Sequence, residues 1–375
     1  MKNVLLLSLF LVHPALGATE AEAEAKRKVE LLRTANDGIQ PQAAIDEDKT
    51  LHLIYFKGSA KQGNVFYVKR AASKSTWSSA IRVNSEKGSA RRNGAISHAQ
   101  LALGKDGRIH VTWFNMRPPK YFYTSSRDDG QGFEPQRNLV TEHAEGVEAG
   151  ASIGADGRGN VYLVWHAGAF DKEDERGVYM RYRSGGKTFG AETRIDDGGG
   201  VCACCGLSAA TDGDGALIVS YRAATDLVDR DITLLKSDDG GENVSATTIH
   251  KWNISACPVS TTSVALGPEN RMLMSWETEG QVFFTGATDG KDFKIIPAPG
   301  DTKDRRKNPT VAMNSLGEVL LAWGDGPGWR SGGVLHWQVY DAKGKATDMN
   351  GLGEEMPEFS VPTAVATGDG FVLVY

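Results

Sequence analysis

A basic excess is missing from this chain. Forty-two lysines and arginines face 47 aspartates and glutamates, for a net charge of −5, so there is no cationic surplus to neutralise a phosphate backbone, and nucleic acid is not an expected partner. Long apolar runs are missing as well: beyond residues 4–12 no segment approaches the roughly 20 apolar residues that span a bilayer, so no membrane span is expected. No cysteine lies near the N-terminus to offer a thiol for lipid attachment. Glycine, by contrast, is abundant at 44 of 375 residues, about 12% against a usual value of about 7%, which implies many tight turns and favours β structure. A hydrophobic content of 40% is enough for a sizeable core.

The first residues read as an export signal. Lys2 supplies a positive start, residues 4–12 an apolar centre, and Ala15-Leu16-Gly17 a small-x-small cleavage site. The expected organisation is a signal peptide over 1–17, a linker or short helix over 18–28, and one domain over 29–375, in a secreted or periplasmic protein.

One short pattern recurs through that domain: a polar turn, then alternating apolar residues ending in an aromatic. Its copies are Leu51-His-Leu-Ile-Tyr55, Ile109-His-Val-Thr-Trp113, Val161-Tyr-Leu-Val-Trp165, Leu217-Ile-Val-Ser-Tyr221, Met272-Leu-Met-Ser-Trp276, Val319-Leu-Leu-Ala-Trp323 and Phe371-Val-Leu-Val-Tyr375. From Tyr55 to Tyr375 there are 320 residues in six steps, a period of about 53. Each copy follows another apolar stretch across a Gly/Asp/Asn turn and precedes a third strand, a glycine-rich turn and a weaker fourth strand.

Four antiparallel strands per repeat suit the blade of an all-β propeller, where neighbouring sheets cover each other's faces. Seven first-and-second-strand pairs but only six third-and-fourth pairs predict seven blades with an incomplete closing blade. In that arrangement the segment 29–34, which resembles a fourth strand, pairs with the C-terminal strands. Six blades with an external hairpin is the alternative.

The turn Ser126-Arg-Asp128-Asp-Gly130-Gln-Gly-Phe133 fits Ser-x-Asp-x-Gly-x-x-Phe at every position, and Ser237-Asp-Asp239-Gly-Gly241-Glu-Asn-Val244 is a near copy. Shortened forms occur at residues 184–189 and 289–293. These turns resemble the Asp box of the sialidase and BNR-repeat propeller superfamily. Asp and Ser side chains cap backbone donors of such a turn, and glycine supplies a conformation other residues avoid. The resemblance implies that the boxes are structural and lie on the face opposite the active site, and that the chain is a sialidase-like glycoside hydrolase if it is an enzyme. The Arg-Ile-Pro motif of true sialidases is absent, so the family's catalytic residues are not transferred to positions here.

Four cysteines stand on two successive connections from a fourth strand to the next first strand: Cys202, Cys204 and Cys205 on one, Cys257 on the next. In an exported chain an even number of thiols points to disulfides. Joining Cys257 to the other group would staple two blades, with no metal and no cofactor. A thiolate site for zinc or copper(I) is the alternative, against which stands the adjacency of Cys204 and Cys205. The cysteine pattern is similar to a secreted BNR-repeat subfamily labelled sialidase-like.

The residue after each second-strand aromatic is Phe56, Phe114, His166, Arg222, Glu277 and Gly324 in successive blades. His166, Arg222 and Glu277 therefore share one register at the mouth of the same face as the cysteines. The expectation is that this face takes a carbohydrate or glycoconjugate, an acidic one. Arg222 is its main anchor, helped by Arg230 and Arg92, and Trp329 and Arg330 are further contacts. For glycosidic hydrolysis the candidates are Glu277 and Asp229, with Tyr221 as a nucleophile. A noncatalytic scaffold or protein-binding propeller is the rival reading.

Overall fold

Seven sheets surround a common axis in the computed structural model, which describes residues 28–116, 119–127, 131–145, 148–169, 171–287, 293–300, 305–328 and 331–375. The signal and linker expectations fall, apart from Lys28, outside these residues. Blade 1 consists of Ile39–Ile45, Leu51–Ser59, Gln62–Arg70 and Ile81–Arg82, and blade 2 of Gln100–Leu103, Ile109–Met116, Pro119–Ser125 and Arg137–Asn138. Blade 3 runs through Ser152–Ala155, Val161–Ala167, Gly177–Arg183 and Thr193–Arg194, and blade 4 through Ser208–Thr211, Leu217–Arg222, Ile232–Ser237 and Ser245–His250. Ser263–Leu266, Met272–Thr278, Gln281–Ala287 and Ile296–Pro297 form blade 5, and Arg306–Met313, Val319–Asp325, Val334–Tyr340 and Ala346–Glu355 form blade 6.

Blade 7 has three strands: Thr363–Thr367 innermost, Gly370–Val374 second, and the N-terminal Val29–Leu32 third. The ring thus has seven blades, not six. One detail departs from expectation. The N-terminal strand takes the third place rather than the fourth, and it pairs parallel, Val29 opposite Phe371 and Leu32 opposite Val374. A strand entering from the far end of the chain is not tied to its neighbour by a hairpin, so nothing forces it antiparallel.

The seven aromatics are equivalent in space. Tyr55, Trp113, Trp165, Tyr221, Trp276, Trp323 and Tyr375 are all buried, six of them within a second strand that runs on past them and Tyr375 one residue after its strand. Four of them stack against the third-strand residue opposite in register: Tyr55 on Phe66, Trp165 on Tyr179, Trp276 on Phe283 and Trp323 on His336. Alternation along the strand then sends the following side chain to the sheet's other face, toward the next blade. The core is a ring of such interblade layers, for example Val111 and Trp113 packed with Ile54, Phe56 and Val65 of blade 1.

Because each blade runs down its first strand and up its second, the fourth-to-first connections and the second-to-third turns open on one end of the ring. The glycine-rich third-to-fourth turns lie at the other. At that second end Ser237 Oγ donates to Asp239 Oδ1 (2.8 Å) and accepts from Gly241 N–H (2.9 Å). Asp239 also accepts from the Asn243 N–H (2.9 Å) and side-chain amide (2.7 Å). Those donors hold its carboxyl down to about 2. In the blade 2 turn, Ser126 Oγ accepts from Ile109 N–H (3.0 Å), and Phe133 packs edge-on to Tyr67. Asp128 and Gly130 lie outside the described residues. Among the described residues no helix is long and apolar enough to cross a membrane.

Candidate functional site

The cysteine-bearing connections meet at the end of the ring where the second strands finish. The chain approaches blade 4 through Gly200, whose φ of +77° and contact distances admit no side chain: a Cβ there would stand 2.6 Å from Asp174 Cα. A turn follows, with Cys205 N–H donating to the Cys202 carbonyl at 3.4 Å. It brings three sulfurs together, Cys202 to Cys205 at 3.1 Å and Cys202 to Cys204 at 3.4 Å. Gly206 N–H then donates to the Ser260 carbonyl at 3.0 Å, holding the connection to blade 5 alongside. That contact sets the connection carrying Cys257 beside the turn, with the Cys257 thiol close enough to act electrostatically on Cys202 and Cys204 but outside the group of three sulfurs that lie within 4.8 Å of one another. Cys202, Cys204 and Cys205 are buried, Cys257 is exposed, and all four are thiols with no sulfur–sulfur bond.

The four share protons unequally. Cys202 lies well above the usual thiol range because its proton is shared with Cys204 and Cys205, with Cys257 and burial adding to the rise. Burial pushes Cys205 up, but donation from Cys202 and Cys204, with the Arg222 charge beside it, outweighs burial and holds it well below that range. The neighbouring Cys202 and Cys204 thiols lower Cys257 likewise.

A charged shell surrounds the sulfurs. Glu173 Oε1 accepts from Ala203 N–H (2.8 Å), and its Oε2 accepts from Arg230 Nη2 (2.6 Å). Arg230 is buried, and its Nε and Nη1 have no hydrogen-bond partner among the described residues. Burial pulls this guanidinium down, but the Cys202 sulfur, Glu173 and Cys257 hold it above its ordinary value. Arg176, fully buried, donates through Nη1 to the Gly168 carbonyl and through Nη2 to His166 Nδ1 (2.8 Å), leaving Nε without a partner among the described residues. Glu148 is raised by burial, with Arg176 opposing and Cys257 and Glu173 adding to the rise.

Glu148, Glu173 and Arg176 were not singled out from sequence. For Glu173 and Arg176 the signal was the dense charge of residues 171–176 on a loop, which by itself reads as solvated surface, and Glu148 carried none.

The trio at the strand ends lands elsewhere than expected. His166, Arg222 and Glu277 are 0%, 2% and 2% exposed, so they do not line the open mouth. Each second strand continues through the position after its aromatic, and the side chain there is pressed against the next blade. His166 Nε2 meets the Cys205 carbonyl at 3.2 Å, and burial beside Arg176 lowers its pKa to about 3.

Arg222 donates through Nη1 to the Arg230 carbonyl (2.8 Å) and through Nη2 to the Glu277 carbonyl. It lies 3.6 Å from Glu277 Oε2 and stacks on Trp252 at 5.1 Å. Its fork is fully engaged between blades 4 and 5, which corrects its placement as an open anion anchor. Glu277 Oε1 accepts from Gly280 N–H at 2.8 Å, and burial raises its carboxyl against the pull of Arg222.

The other candidates are separate. Asp229, half-buried, accepts from Asn253 Nδ2 at 2.7 Å. Tyr221 faces blade 3, lining a different cavity with Asp197 and Asp231, and burial raises its hydroxyl. Arg92 stacks at 4.1 Å on Phe359 from the connection into blade 7. Trp329 and Arg330 lie outside the described residues.

The first strands of all seven blades enclose an axial cavity of about 360 Å³. Its polar lining is amide and hydroxyl, with Gln42, Gln100, Ser208, Thr261, Thr262 and Asn308 contributing, and one imidazole, His98; among the described residues no carboxylate and no guanidinium lines it.

No family model matches the chain, and no curated protein matches it. Solved structures do. A Dyadobacter fermentans protein of unknown function is 14% identical, with a TM-score of 0.52 over 88% of this chain and 98% of that one. The fucose-recognising lectin of Aleuria aurantia, a six-bladed propeller, is 12% identical with a TM-score of 0.53, covering 85% of this chain and 95% of the lectin. A Penicillium chrysogenum α-L-arabinanase is 13% identical with a TM-score of 0.52, covering 83% and 95%. At these identities the likeness is one of fold: a propeller built like those of carbohydrate-binding lectins and glycosidases.

Proposed function

We propose that the protein is an exported, carbohydrate-binding propeller that holds a neutral glycan without cleaving it. The observation that carries this reading is the lining of the axial cavity. At about 360 Å³ it falls within the size of small-molecule sites. Amides and hydroxyls without charged carboxylates or guanidinium groups suit the hydroxyls of a neutral sugar, not the carboxylate of an acidic one. The fucose lectin and the arabinanase, both sugar-binding by their descriptions, support a carbohydrate as the ligand class.

Hydrolysis needs two carboxyl groups about 5 to 9.5 Å apart across an accessible sugar. Glu277 is sealed between blades and Asp229 is occupied by Asn253, so the acid pair expected for sialidase-like chemistry has no shared open cleft. The Ser237, Asp239 and Gly241 turn supports kinship with Asp-box propellers in architecture only.

A glycan array probed with the full chain, followed by hydrolysis assays on every hit, tests the proposal. Binding of neutral glycans without product release is expected, and Asn308→Ala or Gln100→Ala should weaken it about tenfold, near the 1.4 kcal/mol of one hydrogen bond. Cleavage of a bound glycan, or binding indifferent to both substitutions, would overturn it.

A further inference from the structure

We propose that Cys202, Cys204, Cys205 and Cys257 form a thiolate site for one soft d10 metal ion, copper(I) or zinc(II). The site is independent of the axial cavity and of the carbohydrate reading. Three observations converge on it.

The first is spacing. The sulfur atoms of Cys202, Cys204 and Cys205 all lie within 4.8 Å of one another, with separations from Cys202 of 3.1 and 3.4 Å. A tetrahedral ion with metal–sulfur bonds of about 2.3 Å sets its ligands about 3.8 Å apart, whereas a disulfide requires about 2.05 Å. The three-sulfur cluster therefore sits closer to coordination spacing than to bonding, and Cys257, on the adjoining connection, would close in as the fourth ligand. Adjacency of Cys204 and Cys205 is no obstacle, because the turn closed by Cys205 N–H and the Cys202 carbonyl folds the chain around the sulfurs.

The second is the unfinished hydrogen bonding around the cluster. Arg230 Nε and Nη1 and Arg176 Nε are buried with no partner among the described residues, and both arginines lie within electrostatic range of the Cys202 sulfur. Buried guanidinium donors left unmade are costly. A set of metal-bound thiolates would satisfy them, since four sulfur charges around a mono- or divalent ion leave a net negative centre. Arg222 adds a third cation beside Cys205. Glu173 answers one arm of Arg230, and neutral thiols or disulfides would leave the remaining buried donors of Arg230 and Arg176 unmade.

The third is access. Three ligands are buried and hydrophobically packed with Val259, while Cys257 is exposed. An ion can enter at Cys257 and be handed inward. All-sulfur donors select soft ions over magnesium, calcium or manganese.

The test uses the full chain, prepared anaerobically under reductant. It is offered copper(I) from a chelator of known affinity in one arm and zinc(II) in the other. One equivalent per chain should survive desalting in at least one arm, and the arm that retains it identifies the ion. All four thiols should then resist alkylation. Cys205→Ser and Cys257→Ser should each lower affinity by more than about 100-fold. Arg230→Gln, which removes an outer-shell charge, should lower it about 10- to 100-fold. If a cysteine variant fails to fold, thiol protection in the wild-type chain with and without metal decides the matter. Free alkylation of four thiols in the presence of both ions overturns the site. So does a sulfur–sulfur bond, seen as the loss of two hydrogens by mass, that persists under reductant and excludes metal.

Discussion

Arg222 illustrates how one residue's role depends on a single step along a strand. Its guanidinium is 2% exposed as a residue, bonded to two carbonyls, and 3.6 Å from Glu277 Oε2. Truncating it leaves a buried carboxylate without its cation, so Arg222→Ala should cost about 3 to 5 kcal/mol, measured by denaturant unfolding. Arg222→Lys should fall between, because an ammonium cannot reach both carbonyls in parallel. Native stability in Arg222→Ala would contradict the tie between blades 4 and 5.

His110 gives a pH signature on the same scale. It is buried and bonded to Tyr123 Oη at 2.8 Å, and burial, then Arg183 and Arg108, lowers its pKa from 6.5 to about 3. Between those values the unfolded chain binds a proton that the folded chain refuses, so stability is intact above about pH 6.5 and falls as pH drops toward 3. The slope attributable to one such histidine approaches about 1.4 kcal/mol per pH unit. His110→Gln should flatten the acid side of a stability-against-pH curve by that share, and an unchanged slope would refute the assignment.

At the scale of elements, the second strands and their terminal aromatics were legible because a half-buried strand has a side-chain period of two, and seven copies of one alternating pattern repeat it. The destinations of His166, Arg222 and Glu277 were not. Sequence locates them at strand ends, but whether a strand stops before them or runs through them decides between solvent and the next blade. The cysteines were legible as neighbours on two connections, while the arginines that face them came from loops without periodicity. The Asp-box turns were legible from spacing, since each position has a fixed job.

Gly241 shows that constraint directly: φ is +90° and a Cβ would fall 1.9 Å from Met180 Cε. Gly241→Ala should therefore destabilise by about 1 to 3 kcal/mol through overpacking and strain, read as a lower melting temperature. A neutral result would mean that Met180 can move aside freely.

For the molecule as a whole, ring closure rests on a few residues. Val29–Leu32 pairs with Gly370–Val374, Tyr375 N–H donates to the Leu32 carbonyl (3.1 Å), and Thr34 N–H and Oγ1 both reach the Tyr375 carbonyl (2.8 and 2.9 Å). Val29 is also buried in the blade 6 and blade 7 core. Deleting residues 28–34 should cost at least about 3 kcal/mol in lost burial and ladder bonds. Hydrogen exchange in such a variant should rise first in strands Thr363–Thr367 and Gly370–Val374, and uniform protection across the ring would count against this closure.

The parallel seam also sets the order in which the protein can assemble. Thr34 and Tyr375 are 341 residues apart in the chain, and bringing such ends together costs about 1.6 kcal/mol more loop entropy than closing one 53-residue repeat. Six blades can form from local hairpins before that meeting, leaving Gly370–Val374 as an unpaired edge. A second molecule's N-terminal strand fits that edge equally well. Refolding should therefore partition with protein concentration: monomers when dilute, and strand-exchanged oligomers once intermolecular encounter outruns the slow intramolecular search.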